Sequence, residues 1–171
     1  MPLDESLVQS KRDLVDSLSR EFERLYSQWC SLLESCTTDT IYRQLPGPAN
    51  HTLLPSVGET LLRSAAVVEQ TCGGITSNLW DDPFEWTLPE TLSTPEKVIE
   101  YFGEVEETRR RAFNSLHGDD DLFRDIAMPS GELQSLASLL LETLARANQL
   151  QGQAILTAKI LSSGNSSRFI I

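Results

Sequence analysis

The chain has 171 residues, 40% of them hydrophobic and 23% charged, which is length enough for one domain with a real core and a composition that excludes the disordered classes. Its formal net charge of −11 excludes nucleic acid and anionic membrane surfaces as partners, because both demand a basic face. Acidity of this kind bears on solubility, not on fold.

Residues 1–18, MPLDESLVQSKRDLVDSL, lack the apolar core of a signal peptide. From there Leu14, Leu18, Phe22, Leu25, Trp29, Leu32 and Leu33 recur at spacings of three and four, with Lys11, Asp13, Arg20, Glu23 and Arg24 on the other face. This is the pattern of an amphipathic helix, expected over about 5–36. Cys36-Thr37-Thr38-Asp39 interrupts it, a short turn is expected near Tyr42, and Pro46-Gly47-Pro48 ends regular structure. A second helix is expected over 56–79. Ser56 and Glu59 form a capping box, Leu61, Leu62, Ala65, Val68 and Glu69 carry the helix on, and Gly73-Gly74 ends or kinks it. A loop with Trp80 and Trp86 follows.

Thr94-Pro95, a cap followed by proline at the first helical position, opens a third helix over 95–117. His117-Gly118 stops it, and Asp119-Asp120-Asp121 begins a connection that lacks the glycine and distal glutamate of a calcium loop. Leu122 to Met128 could form a short extended piece. Ser130-Gly131-Glu132 is expected to open the fourth helix, over 131–162, whose apolar stripe runs from Leu133 to Ile160. The fold expected is all-α, an antiparallel four-helix bundle in a single domain, 1–171.

Cys30, Cys36 and Cys72 are an odd count at no zinc spacing, so they read as reduced thiols, and none has a neighbouring base to activate it. No apolar run approaches the ~18 residues that a membrane span needs. A soluble, cytoplasmic protein is the expectation. His51 and His117 have no partners at ligand spacing, so both read as surface or loop histidines.

Residues 54–63, LPSVGETLLR, resemble the start of the second helix in the DinB-like superfamily of four-helix bundles, which includes damage-inducible proteins and YfiT-like thiol transferases. Residues 139–153, LLLETLARANQLQGQ, resemble that family's fourth-helix signature, with Gly152-Gln153 at its Gly-Gln. The resemblance covers most of the chain in layout, on short motifs. It implies a divalent metal held by one histidine of helix two and two of helix four. Carried over, these positions fall on Arg63, Arg146 and Leu150, or Gln149 in a register shifted by one. Arginine stays protonated and leucine has no donor atom, so no metal and no other cofactor is expected.

If the register holds, Arg63 and Arg146 point into the bundle, where each must find a carboxylate, a carbonyl or an anionic ligand. Glu59 and Glu142, one turn away, are their candidate partners. Two readings stand: a structural polar network, or a site for a carboxylate or carbonyl group. In the second, Arg63, Arg146 and Gln149 are the candidate catalytic donors. Glu59, Trp80, Trp86, Glu142, Leu150 and Gln153 are the candidate ligand-binding residues, with Asn148 a further donor. Trp80 and Trp86 either wall the ligand or pin their loop.

The function this suggests is a metal-independent cyclisation, isomerisation or cycloaddition of an apolar carbonyl-bearing metabolite, driven by positioning and by hydrogen bonds to the carbonyl. The alternative is a non-catalytic binding or interaction module on the same fold. A metal-dependent thiol transferase fails on the missing histidines. The expected partner is an apolar small molecule, with a homodimer left open.

Overall fold

The computed structural model describes residues 11–47, 52–83 and 87–166. His51 and Trp86 lie outside the described residues. The architecture is mostly helical. Four long helices, α1 (Asp13–Glu34), α3 (Val57–Ser77), α4 (Pro95–Asn114) and α5 (Leu136–Ser166), are joined by a four-residue helix, α2 (Thr38–Ile41), and two small antiparallel pairs. β1 (Leu45–Pro46) pairs with β2 (Leu53–Leu54), and β3 (Asp125–Ala127) with β4 (Leu133–Ser135). Among the described residues no helix is long and apolar enough to cross a membrane.

Side-chain spacing explains the packing. Val15, Phe22, Leu25, Trp29 and Leu33 form the buried face of α1, and Val98, Phe102, Val105, Ala112 and Phe113 that of α4. Aromatic pairs lock the two together: Trp29 against Phe102 at 5.2 Å and Phe22 against Phe113 at 5.5 Å between ring centroids. α3 and α5 make the most extensive helix pair. Their seam is closed by small and polar side chains that bridge the backbones. Trp29 Nε1–H donates to Ser64 Oγ (3.1 Å), and the Ser64 hydroxyl donates to the carbonyl of Ala147 (2.8 Å). The Thr143 hydroxyl donates to the carbonyl of Leu139, so Thr71 donates to Thr143 Oγ1 at 2.8 Å. Buried polar groups so paired cost little and fix one helix register.

The ends of α3 and α4 follow their local signals. The Ser56 and Glu59 side chains form the reciprocal capping box, and Thr94 caps α4 with Pro95 at its first position. α3 runs through Gly73-Gly74 to Ser77 and ends on Asn78 in the left-handed region (φ 54°). Asn78 N–H and Leu79 N–H close on the carbonyls of Gly74 and Gly73, which satisfies the free carbonyls of the last turn. The glycine pair therefore does not end the helix. Gly74 serves close approach instead: a Cβ there would lie 2.5 Å from the Trp80 ring.

Several boundaries differ from the sequence expectation: α1 spans Asp13–Glu34 rather than 5–36, with residues 11 and 12 outside the helix, and α3 spans Val57–Ser77 rather than 56–79. α4 ends at Asn114 rather than 117, and α5 continues to Ser166 rather than 162. The start of α5 moves from Ser130-Gly131-Glu132 to Leu136. Gly131, at φ 84°, turns the chain between β3 and β4, a conformation that a helical residue does not adopt. Asp119 lies in a 3-10 turn (Asp119–Phe123). Its carboxylate accepts from Leu14 N–H and Val15 N–H at 3.0 Å, so it satisfies the open donors at the start of α1.

Candidate functional site

Five of the sequence-derived residues meet in one place. Arg63 on α3 and Arg146, Gln149, Leu150 and Gln153 on α5 line a groove of about 200 Å³, together with Ala66, Val67, Gln70 and Asp82. Spacing along each helix gathers the residues, and the packing of the two helices brings the two faces side by side. Positions 63, 66, 67 and 70 share one face of α3, and 146, 149, 150 and 153 share one face of α5.

The groove lies outside the α3–α5 seam, and here the expectation is corrected. Arg63, Arg146, Gln149 and Gln153 are exposed and Leu150 is half-buried, whereas Ser64, Ala65, Ala147 and Gln151 are buried. The guanidiniums do not point into the core. A cation that cannot lose its proton stays in water unless a buried anion meets it, and neither seam face supplies one.

The remaining candidates separate from the groove. Glu59 is occupied by the helix cap, where its Oε2 accepts from Ser56 N–H (2.9 Å) and Ser56 Oγ–H (2.7 Å). Its partial burial raises its pKa, but the Ser56 and Gln44 hydrogen bonds and the Arg63 charge outweigh that and take it below the usual carboxylate range. Arg63 is thus near enough to Glu59 for its charge to act on the carboxylate. Glu142 is exposed, does not line the groove and makes no ion pair with Arg146, which corrects that pairing. Asn148 is exposed and bonds back to the carbonyl of Leu144. Trp80 pins its loop rather than walling the groove. Its ring stacks on Gly74, its Nε1–H donates to Asn78 Oδ1 (3.1 Å), and its carbonyl accepts from Gln70 Nε2 (2.7 Å).

The metal set implied by the resemblance does not fit these positions. Arg63, Arg146, Gln149 and Leu150 offer no imidazole and no carboxylate, and among the described residues no three His, Cys, Asp or Glu gather as a metal site. Burial raises the pKa of Cys30 and Cys36 and pushes Cys72 up to about 12.

A larger cleft, about 440 Å³, opens on the neighbouring side of α3, between α3, α4 and the loop after α3. Glu69, half-buried, lines it and accepts a 2.6 Å hydrogen bond from the Tyr101 hydroxyl of α4. Burial raises the Glu69 pKa, the Tyr101 bond opposes this, and the charge of Glu104 adds to the rise. Glu69 was visible in the sequence only as one more position on the α3 stripe. A carboxylate on an apolar stripe was the signal available, and only α4 supplies the tyrosine that gives it meaning.

No protein-family model matches the chain, and no curated protein is detectably similar to it.

Proposed function

We propose that α1, α3, α4 and α5 form a four-helix bundle of the DinB-like kind that binds a carboxylate- or carbonyl-bearing small molecule in the α3–α5 groove without a metal, and isomerises or cyclises it there. The observation that carries this reading is the convergence of Arg63, Arg146, Gln149 and Gln153 on one groove with Gln70. All of them donate hydrogen bonds to oxygen, and the guanidiniums do so with fixed charge. Ala66, Val67 and Leu150 give the same groove an apolar floor.

Size sets the binding mode. Ligand pockets usually run to ~300–1,000 Å³, so a groove of about 200 Å³ takes the polar head of a ligand and leaves its apolar remainder along the helices. Donors in these places match a reaction in which negative charge grows on a carbonyl oxygen, as it does in an enolisation or a polar cyclisation. The exposure of both arginines favours a second reading, binding without catalysis, because water screens their charge and weakens its effect on a transition state.

A 1H–15N correlation titration with benzoate and cinnamate separates these readings from an inert surface. The expected result is saturable shifts confined to Arg63, Gln70, Arg146, Gln149 and Gln153. Shifts scattered over the surface, or none, would remove the groove from consideration. Turnover of an unsaturated ketone, lost in Arg146→Met, would place catalysis there; binding without turnover would leave the second reading.

A further inference from the structure

The α3–α4 cleft has a chemistry of its own. Glu69 lines it with its carboxylate held by the Tyr101 hydroxyl at 2.6 Å, and Arg111 and Thr108 line it from α4. The guanidinium of Arg111 is exposed and bonded to Thr108 Oγ1 (3.1 Å). Among the described residues no cation pairs with Glu69, so nothing fixes its charged form except one hydroxyl. A half-buried carboxyl held by one hydroxyl, in a cleft with a cation within the same walls, is the equipment for moving a proton on a bound molecule.

We propose that this cleft is a second small-molecule site, in which Glu69 removes a proton from the carbon next to the carbonyl of a bound 2-oxo acid and returns it. The C–H bond breaks, its proton passes to a Glu69 carboxylate oxygen, and its electron pair becomes an enolate. Return of the proton to the same carbon restores the carbonyl and the carboxylate, with no oxidant or reductant involved. Arg111 holds the ligand carboxylate. Asp81 also lines the cleft and disfavours a second anionic group, which limits the ligand to one. This site adjoins the α3–α5 groove, Gln70 lining both, but does not rest on the function proposed for that groove.

The groups around Glu69 fix the sign of its pH response. Tyr101, Glu104 and Arg111 reach it or its cleft from α4, Asp81 from the loop, and Cys72 lies on its own helix. The Tyr101 bond lowers the Glu69 pKa, so Tyr101→Phe should move the acidic limb of activity to higher pH.

The test is exchange of the pyruvate methyl protons in D2O, followed by 1H NMR with the full-length protein. Saturable acceleration over buffer is expected, with a loss of about 10²-fold or more in Glu69→Gln. Arg111→Met should raise KM with little change in kcat, and Tyr101→Phe should fold and show the shifted limb. Lys159→Met, at an exposed position that lines neither the cleft nor the groove, should exchange like the parent. No acceleration over buffer overturns the proposal, as does full activity in Glu69→Gln. Loss in Arg146→Met with retention in Glu69→Gln would assign the chemistry to the groove instead.

Discussion

Ser64 joins three helices through one hydroxyl, receiving the indole N–H of Trp29 from α1 and donating to the Ala147 carbonyl of α5. Ser64→Ala strands a buried donor, so a loss of about 1–3 kcal/mol is expected in urea unfolding. A second buried network links α1 and α4. Arg109 grips Glu106 with two bonds of 2.7 Å and reaches Ser19 Oγ at 2.8 Å, with both charged side chains about 95% buried. Glu106→Ala leaves that guanidinium buried and unpaired, and should cost about 3–5 kcal/mol. Glu69 behaves in the opposite sense. Its folded pKa lies above the unfolded one, so its contribution is fully present below the unfolded carboxyl range and is lost as pH rises through the folded value. Glu69→Gln, which can still accept from Tyr101, should therefore melt higher than the parent at pH 7 and close to it at pH 4. A lower melting temperature at pH 7 would mean that the carboxylate is stabilised where it sits.

The helix ends show how far local signals reach. Ser56→Ala removes the α3 cap and should cost about 1 kcal/mol. The Glu59 half of the same box should weaken in acid, because its lowered pKa makes its stabilisation present above the unfolded value and lost as pH falls through the folded one. Both α3 and α4 starts were legible because Ser56-Glu59 and Thr94-Pro95 act within one turn. The start of α5 was not. Leu133 and Leu136 fit a helical stripe, but the Gly131 turn and the pairing of Asp125–Ala127 with Leu133–Ser135 depend on two segments meeting. Gly74 misled in a similar way, since its use is the approach of Trp80 and not a helix break. Gly74→Ala should displace the Trp80 ring, raise its solvent exposure in fluorescence quenching, and loosen the loop that Gln70 also holds.

At the scale of the whole molecule, the all-α layout and the faces of the helices were readable, and the rotation of those faces was not. Arg63 and Arg146 do share a site with Gln149, Leu150 and Gln153: spacing sets the α5 residues on one face, and the packing of α3 against α5 brings Arg63 beside it. Spacing cannot say whether that face turns inward. The answer lies in the small residues Ser64, Ala65 and Ala147, which let α3 and α5 close on each other and leave the long cationic side chains on the outside. The result is an acidic protein with a local cationic groove over a packed core, and that groove is what the proposed function depends on. The most direct measurement is calorimetric titration of the parent and of the Arg63→Met/Arg146→Met double variant with cinnamate and with its uncharged amide. The expected result is saturable cinnamate binding to the parent, at least ~10-fold weaker in the variant, a difference of about 1.4 kcal/mol, with the amide bound weakly by both. Equal binding of cinnamate to parent and variant, or no binding to the parent, would contradict it.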